Sequence, residues 1–286
     1  MLSRLLYRIR SCRNDMRVRA RMRKYVKSAR NPWTAGYKEY KKKVLCDILA
    51  DQKMLERFLV GQALPAEYGF RVDERVVEYP WVLSRLQPAE RYLLDAGSAL
   101  NFQHILDVPV LQSRTIVIYN LAPEGVVKRS NISYIYGDMR NSILRTECFD
   151  EIVCISTLEH VGMNNSSLYS KDSRFNEFRP DDYQCVVSEF KRLLKPGGRL
   201  FITVPYGRYE NHGWLQQFDD KMIRTVVEVF EGSNSDVAYF RYHADGWQIA
   251  DAGQCADCCY FDIHKSNYEP DYAAAARAVA CLEMVK

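Results

Sequence analysis

The stretch LLDAGSALNF, residues 93–102, passes from an apolar segment into a turn that contains a single glycine. A buried strand that breaks into a glycine-containing turn is the usual start of an α/β domain that holds a ligand at its sheet edge, because the turn lets the backbone approach the ligand closely. Such turns normally carry two or three glycines, whereas this one carries only Gly97. The stretch predicts the fold and leaves open whether the turn still forms a binding site.

The segments that follow alternate between strand-like and helix-like patterns, which predicts parallel βαβ units. Most of the strand candidates are apolar on both faces, as a sheet covered by helices requires. They are YLLDAG (92–97), TIVIYNLA (115–122), SYIYGD (133–138), DEIVCIST (150–157) and RLFITVP (199–205). Farther along, the pattern predicts a helix over 220–230 and strands over 236–243 and 276–286. We therefore predict an α/β fold with a Rossmann-like, doubly wound, mostly parallel sheet.

Composition and periodicity divide the chain into two predicted regions. Residues 1–88 form a basic, helical N-terminal extension, in which KEYKKKVLCDILADQKMLERFL (38–59) has apolar side chains at helical intervals and Pro80 opens a helix turn. Residues 89–286 form the Rossmann-like domain, with a core over 91–206 and an elaborated C-terminal third.

Positive charge is concentrated near the N-terminus. The net charge is +4, but residues 1–30 hold eleven Lys or Arg and one Asp. Leu2, Leu5, Leu6 and Ile9 are at helical spacing, which favours an amphipathic basic helix on an anionic membrane surface. A solvated basic arm fits as well, and an organelle transit peptide ranks lower. No apolar run approaches the ~20 residues that span a bilayer, and the start does not read as a secretory signal.

The nine cysteines are scattered and odd in number, which favours a reducing compartment. We therefore predict a cytoplasmic protein that the basic arm holds peripherally on the inner face of the membrane. The cluster CADCC (255–259) lies near His243 and His264. A structural zinc site needs a second CxxC pair or two well-spaced histidines, so we predict no metal site.

Polar residues follow the strand candidates in a fixed order: LLDAGS, IVIYNLAPEG, YIYGDMRNS, FDEIVCISTLEHVG and then FKRLLKPGGRLFITVPYG. This order resembles that of the class I S-adenosylmethionine-dependent methyltransferases over residues 91–206. The pair LEHVG and LKPGGRLFITVP is the most specific part of the resemblance. The resemblance implies a sheet of the class I methyltransferase type and S-adenosylmethionine as the cofactor.

The resemblance also implies which residues contact the cofactor. In the family an acid at the end of the second strand holds the ribose hydroxyls, and an Asp after the third strand contacts the adenine amine. On this sequence the implied cofactor residues are Asp95, Gly97, Ser98, Asn120, Asp138 and Met139.

The sequence departs from the family pattern in two places. The second and third turn glycines fall on Ala99 and Asn101. Ala is small and Asn tolerates a left-handed conformation, so the turn can still close. The ribose-binding acid falls on Asn120, which forms hydrogen bonds but supplies no charge.

The block from LEHVG to GWLQQFDD is similar to a bacterial subgroup linked to surface polysaccharide and O-antigen assembly. That resemblance implies a sugar hydroxyl, free or in a lipid-linked glycan, as the methyl acceptor. Because a sugar hydroxyl is a poor nucleophile, a nearby base assists transfer. The catalytic candidates are His160 and Glu159, which follow the fourth strand, with His212 as the second base. The sequence predicts an aromatic platform for the sugar from Tyr206, Tyr209, Trp214 and Phe218.

Two other functions stay open. A non-catalytic binding protein would keep the fold and lose the cofactor, which Ala99, Asn101 and Asn120 favour. A methyltransferase for a small metabolite or for RNA is the other alternative. The basic arm would bind phosphate without sequence preference, but it carries no zinc finger and no RNA-binding signature, so nucleic acid ranks below the other partners.

Overall fold

The computed structural model of the protein describes residues 16–169, 172–263 and 265–286. Its strands are β1 (Tyr92–Ala96), β2 (Thr115–Asn120), β3 (Ile132–Tyr136), β4 (Phe149–Ile155), β5 (Leu194–Pro205), β6 (Glu210–Asn211), β7 (Gln216–Gln217), β8 (Asn234–His243), β9 (Gly246–Ala250) and β10 (Ala278–Val285). Its α-helices are α1 (16–27), α2 (Tyr37–Ala50), α3 (Gln52–Val60), α4 (Arg75–Arg85), α5 (Gln103–Leu106), α6 (Pro109–Gln112), α7 (Tyr183–Leu193), α8 (Asp220–Phe230) and α9 (Ala252–Cys255).

The central sheet has eight strands in the order β3-β2-β1-β4-β5-β10-β8-β9. The first five strands of the chain pair in parallel, and β10, β8 and β9 add antiparallel pairs at the far side. The chain runs outward from β1 to β3 and then returns to place β4 on the other side of β1. This topology confirms the predicted Rossmann-like fold, and the reversal between β1 and β4 is the point where such sheets bind ligands.

Helices cover both faces of the sheet, because successive side chains of a strand point to opposite sides. Leu93 of β1 packs in an apolar cluster with residues of α2, α3 and α4. Its neighbour Leu94 packs in a second cluster with residues of α7 and α8. Trp81 of α4 packs edge-on against Phe201 of β5, with ring centroids 6.1 Å apart. The N-terminal helices α2–α4 therefore share a core with the sheet.

Helix α4 differs from the prediction at Pro80. The sequence predicted that Pro80 opens a helix turn, but the helix begins at Arg75 and Pro80 lies inside it. A proline within a helix leaves the carbonyl four residues earlier without its usual donor. Here the Tyr68 hydroxyl donates to the Val76 carbonyl at 2.6 Å and satisfies it.

The other elements lie close to their predicted positions. The helix over 220–230 is confirmed, and β2 ends at Asn120 rather than continuing to residue 122. Strand β5 begins at Leu194, before the predicted residue 199, because Gly197 and Gly198 exchange backbone hydrogen bonds with Lys286. In the described part of the chain, no helix is both long and apolar enough to cross a bilayer.

Candidate active site

Two cavities open beside the carboxyl ends of the parallel strands. The strand-end cavity has a volume of about 220 Å³ and is lined by residues that follow β1, β2, β3 and β4. The adjoining cavity has a volume of about 500 Å³ and is lined by residues from α2, the segment before α4, the end of β4 and the C-terminal third. Ser156 and His160 line both cavities. The two cavities are therefore neighbours that share part of their lining.

The first turn packs closely against the end of β4. Gly97 has a φ of +105°, and a Cβ atom at this position would lie 2.1 Å from Oγ1 of Thr157. Its N–H donates to the Tyr119 carbonyl at 2.8 Å. Tyr79 of α4 donates its hydroxyl to the Ala99 carbonyl at 2.5 Å. The turn therefore closes with one glycine, at the position where no side chain fits.

Asp95 and Ser98 shape this turn from outside the strand-end cavity. The buried Asp95 carboxylate accepts hydrogen bonds from the N–H groups of Ala99 at 3.1 Å and Leu100 at 2.8 Å, and burial raises its pKa to about 7. Ser98 has a φ of +65°, and its hydroxyl donates to Glu124. The structure thus gives both residues a role in holding the turn, and their contact with the cofactor stays a prediction.

Ser98, the residue after Gly97, is left-handed, whereas Asn101, on which the third turn glycine of the family falls, is not. The Asn101 side chain instead crosses to the loop after β2, where it donates to Glu124 at 3.1 Å and to the Gly125 carbonyl at 2.7 Å. Its Oδ1 accepts from the Tyr134 hydroxyl at 2.8 Å. Asn101 therefore ties the first turn to the second strand end.

Asn120 lines the strand-end cavity at the end of β2, where the sequence predicted it. It is buried, and its Oδ1 accepts from the Leu121 N–H at 3.0 Å and from the Tyr169 hydroxyl at 3.0 Å. Its Nδ2 donates to the Ala122 carbonyl at 3.3 Å. The sequence reading did not identify Tyr169 at this point of the cavity, because no local pattern marks the contact.

Asp138 and Met139 also line the strand-end cavity, with Arg140 beside them. The Arg140 guanidinium donates to both carboxylate oxygens of Asp138, and it pairs with Glu177 at 2.8 Å and Asp182 at 2.6 Å. Burial pushes the pKa of Asp138 upward, but the hydrogen bonds from Arg140 outweigh it and hold that pKa below its usual value. The sequence reading missed Arg140, which places one cation among three carboxylates.

His160 has a defined tautomer at the junction of the two cavities. Its Nδ1 lies 2.9 Å from the Trp214 carbonyl oxygen. A carbonyl only accepts hydrogen bonds, so Nδ1 carries the proton and Nε2 keeps its lone pair. Burial lowers the pKa of His160 to about 4, so the ring is neutral at pH 7. Nε2 lies 4.0 Å from Oε1 of Glu159.

Two acidic side chains line the adjoining cavity without full hydrogen bonding. Glu159 is buried, and burial raises its pKa well above the usual value. Burial and the neighbouring Asp73 raise the pKa of Glu74 to about 8. Among the described residues, neither Oε2 of Glu74 nor Oε2 of Glu159 has a hydrogen-bond partner. The raised pKa values favour the protonated carboxyl groups, which both donate and accept hydrogen bonds, so this cavity offers unused hydrogen-bonding capacity to a ligand.

His212 and three of the four aromatic residues predicted to form a platform line neither the strand-end cavity nor the adjoining cavity. The His212 ring packs against Tyr260 at 5.1 Å, and Tyr260 itself lines the adjoining cavity. Tyr206 and Phe218 are fully buried in the core, and Tyr209 is an exposed side chain. Of the four predicted aromatics, Trp214 lines the adjoining cavity. The prediction of a platform from Tyr206 and Phe218 is therefore wrong, because those rings face the apolar layer under the sheet.

The strand-end cavity fits the cofactor that the sequence predicted. An added Cβ would collide with Thr157 at Gly97 and with the Tyr119 hydroxyl at Gly137. The backbone at these two strand ends therefore carries no side chain. Asn120 and Asp138 offer polar groups beside these bare segments. A nucleoside needs this combination of backbone approach and hydrogen bonds.

Comparison with known proteins points to the methyltransferases that the sequence resembles. Residues 114–202 match the family described as methyltransferase domain, a range that runs from the start of β2 to within β5 and covers just under a third of the chain. This part of the chain is therefore similar to a methyltransferase domain, and the match supports S-adenosylmethionine as the cofactor. No curated protein matches the chain.

Several solved structures are similar at low identity. YcgJ of Bacillus subtilis is 11% identical with a TM-score of 0.45, over 73% of this chain and 97% of that chain. A Burkholderia thailandensis 1,6-didemethyltoxoflavin-N1-methyltransferase is 12% identical with a TM-score of 0.44, over 89% and 92%. Phosphoethanolamine N-methyltransferase 2 of Haemonchus contortus is 13% identical with a TM-score of 0.41, over 68% and 45%. Similarity at this level assigns no substrate.

Proposed function

We propose that the protein is an S-adenosylmethionine-dependent methyltransferase that transfers a methyl group to a sugar hydroxyl in glycan or polysaccharide biosynthesis. The observation that carries the proposal is the meeting of the two cavities at Ser156 and His160. A donor in the strand-end cavity and an acceptor in the adjoining cavity would be in contact there. Holding two reactants at attack distance supplies a large part of the rate of such a transfer.

The strand-end cavity would hold the donor through Gly97, Asn120 and Asp138. Bound S-adenosylmethionine would supply a methyl group on a sulfonium, which a nucleophile displaces with release of a neutral thioether. The chain contributes orientation: Gly97 and Gly137 leave the backbone accessible, and Asp138 offers carboxylate oxygens to an amine. Arg140 keeps that carboxylate ionised.

His160 is the residue placed to remove the acceptor proton. Its Nδ1–H is held by the Trp214 carbonyl, so Nε2 is free to accept the hydroxyl proton while the hydroxyl oxygen bonds to the methyl carbon. Glu159 lies 4.0 Å from Nε2. An imidazolium at His160 favours the ionised form of that carboxyl group, which stabilises the positive charge in turn.

The adjoining cavity supports a sugar as the acceptor. Trp33, Trp214 and Tyr260 offer aromatic side chains, and Glu74 and Glu159 offer carboxyl groups that can donate and accept hydrogen bonds. A sugar ring has both an apolar C–H face and hydroxyl donors, so its chemistry matches both sets of groups. Trp33 at the rim is 40% exposed, which leaves the cavity open to an acceptor larger than one ring.

We also propose that the basic arm, residues 1–30, lies on an anionic membrane surface and brings a lipid-linked glycan to this cavity, on the inner face of the membrane. The predicted apolar positions Leu2, Leu5, Leu6 and Ile9 of this arm lie outside the described residues, which include α1. The exposed cations of α1 are Arg17, Arg19, Arg21, Arg23, Lys24 and Lys27. Each contributes about 1 kcal/mol near an anionic surface. Sedimentation with phosphatidylglycerol vesicles should deplete the protein from solution, whereas phosphatidylcholine vesicles should not. Equal behaviour with both vesicles would contradict this part of the proposal.

The test of the transferase uses methyl-labelled S-adenosylmethionine with monosaccharides, nucleotide sugars and polyprenyl-linked glycans. In His160→Asn the amide can still donate to the Trp214 carbonyl, but the base is gone. We expect this variant to bind S-adenosylhomocysteine as before and to lose about 10²–10⁴-fold in transfer rate. His243→Ala, at an exposed position of β8, is the matched control.

Each alternative has its own outcome. If the protein binds the cofactor and methylates only non-sugar metabolites, its acceptor is a small metabolite and not a sugar. Transfer to RNA with a steep salt dependence would indicate the nucleic-acid alternative. Absence of S-adenosylhomocysteine binding would indicate a non-catalytic protein that keeps only the fold.

A further inference from the structure

Helix α2 places two lysines on the wall of the adjoining cavity. Lys38 and Lys41 both line it, and they lie three positions apart on one face of the helix. The Lys38 side chain is exposed, and among the described residues it has neither an ion pair nor a hydrogen bond. All three donors of its ammonium group are therefore available to a ligand. Lys41 donates to Asp73 at 2.5 Å, which leaves two of its own donors unused.

The ionised acids that line the same cavity already have partners. Asp73 is buried and pairs with Lys41. Asp262 pairs with Lys265 at 3.4 Å, and Lys265 does not itself line the cavity. Each of these carboxylates therefore has a lysine of its own, and the charge of Lys38 is left without a counter-charge in this part of the structure.

The other charged groups of the cavity do not compensate Lys38 either. Burial raises the pKa of both Glu74 and Glu159 and so favours their neutral, protonated forms. Arg75, the first residue of α4, donates to the buried Glu78 at 2.7 Å, and this pair is neutral as a whole. Only one guanidinium N–H takes part in that bond, and the Arg75 side chain is 27% exposed. The cavity therefore holds unused cationic donors and favours an anionic group on its ligand.

We propose that the acceptor sugar carries a phosphoryl group, which Lys38 and Lys41 bind at the rim of the adjoining cavity. Lysine binds phosphate as a point charge, and phosphoryl oxygens accept several hydrogen bonds at once. The rim is marked by exposure, because Lys38 is exposed and Trp33, whose ring centroid lies 5.0 Å from Nζ of Lys41, is 40% exposed. His160 lies at the other end, where the two cavities meet. The phosphoryl group is therefore separate from the hydroxyl that receives the methyl group.

This inference deepens the proposed function and rests on it, because it names the class of sugar that enters the cavity. A nucleotide sugar and a polyprenyl diphosphate glycan both present a phosphoryl group next to a sugar ring. The two sources share the chemistry that the lysines recognise, and the transfer experiment below separates them.

Calorimetric titration of the full chain with inorganic pyrophosphate tests the phosphoryl site without any transfer. Because the basic arm also attracts phosphate, variants are compared with one another. Lys38→Ala should weaken pyrophosphate binding at this site by about tenfold, the loss expected for a hydrogen bond from a charged group. Lys38→Arg keeps the charge and should retain most of the affinity. Lys42→Ala removes the same charge from an exposed position of α2 outside the cavity, and it should match wild type.

Methyl transfer then tests the acceptor class. The kcat/KM values are measured for nucleotide sugars, for polyprenyl diphosphate glycans and for the same sugars without their phosphoryl groups. The wild-type chain should prefer the phosphorylated acceptors by about tenfold or more, and Lys38→Ala should lose that preference. Transfer to nucleotide sugars would identify a soluble acceptor, and transfer only to the polyprenyl-linked glycans a lipid-linked one. Either result supports the phosphoryl site.

The outcomes separate this inference from the proposed function. If sugars with and without a phosphoryl group are methylated equally well, the inference is overturned and the transferase stands. If Lys38→Ala and Lys42→Ala weaken pyrophosphate binding alike, the lysines act only through general charge, which also overturns it. If pyrophosphate binding depends on Lys38 but no sugar is methylated, the proposed acceptor is wrong and the phosphoryl site belongs to a different substrate.

Discussion

The fully buried carboxylate of Glu78 accepts a 2.5 Å hydrogen bond from the hydroxyl of Ser156. Ser156 lines both cavities and has a φ of +40°, which is strained for a residue other than glycine. The same carboxylate accepts from Thr203 of β5 at 2.8 Å and from Arg75 at 2.7 Å. Helix α4 therefore does more than cover the sheet, since it holds the backbone at the point where the two cavities meet.

Replacement of Glu78 by Ala should destabilise the fold strongly. It leaves Arg75, Ser156 and Thr203 without their common acceptor, and breaking a buried pair typically costs about 3–5 kcal/mol. Urea denaturation measures the free energy of unfolding of each variant. The control is Asp47→Ala, which removes an exposed i,i+4 pair with Lys43 and should change stability by no more than about 0.5 kcal/mol. Similar values for the two variants would mean that the Glu78 network contributes little.

A methyl group at Gly97 should disrupt both the turn and the cavity. In Gly97→Ala the new Cβ meets Thr157 at a φ of +105°, and overpacking of this kind costs about 1–3 kcal/mol before the backbone strain is added. We expect lower stability in urea and loss of S-adenosylhomocysteine binding. Gly125→Ala has open space around the added atom and should resemble wild type. An unchanged affinity in Gly97→Ala would show that the first turn does not approach the cofactor.

Asp138 has a natural control elsewhere in the chain. Asp138 accepts from the backbone and the guanidinium of Arg140, and Asp172 accepts from Arg174 in the same way outside the strand-end cavity. Asp138→Ala should weaken S-adenosylhomocysteine binding by about tenfold or more, because it removes the acceptor that we propose for the adenine amine. Asp172→Ala should leave the affinity unchanged in calorimetry. If both substitutions act alike, the effect comes from the local turn and not from a ligand contact.

The pH dependence of transfer should follow the neutral state of His160. Burial lowers the pKa of this residue to about 4, so the base is available from slightly acidic pH upward. The kcat/KM profile should therefore rise near pH 4 and show no inflection near 6.5, the value of an exposed histidine. An acid limb near pH 6.5 would indicate an exposed base in place of His160.

The lowered pKa of His160 also predicts that folding stability depends on pH, and this can be measured without knowing the methyl acceptor. The unfolded chain takes up a proton at His160 near pH 6.5, whereas the folded chain does so only near pH 4. Stability from this residue is therefore fully present above pH 6.5 and is lost as the pH falls toward 4. Urea unfolding at pH 7 and pH 5 should show a smaller difference for His160→Asn than for wild type. Equal differences would show that His160 is not held neutral.

The sequence by itself determined the parallel sheet and the residues that stand at its strand ends. Strand periodicity is local, and parallel strands bring their carboxyl ends to one edge. For this reason Gly97, Asn120, Asp138 and His160 could be placed in the strand-end cavity before any coordinates, and the structure finds all four there.

Only the tertiary structure decided which side chains meet across that edge. Glu78 and Thr203 are 125 positions apart, and Asn120 and Tyr169 are 49 apart, so no periodic pattern records these contacts. The sequence could not say that the Asp95 carboxylate binds the N–H groups of Ala99 and Leu100, because this depends on how the turn folds back onto it. Periodicity specifies where a residue lies along a strand, whereas burial and partners depend on elements that arrive from distant parts of the chain.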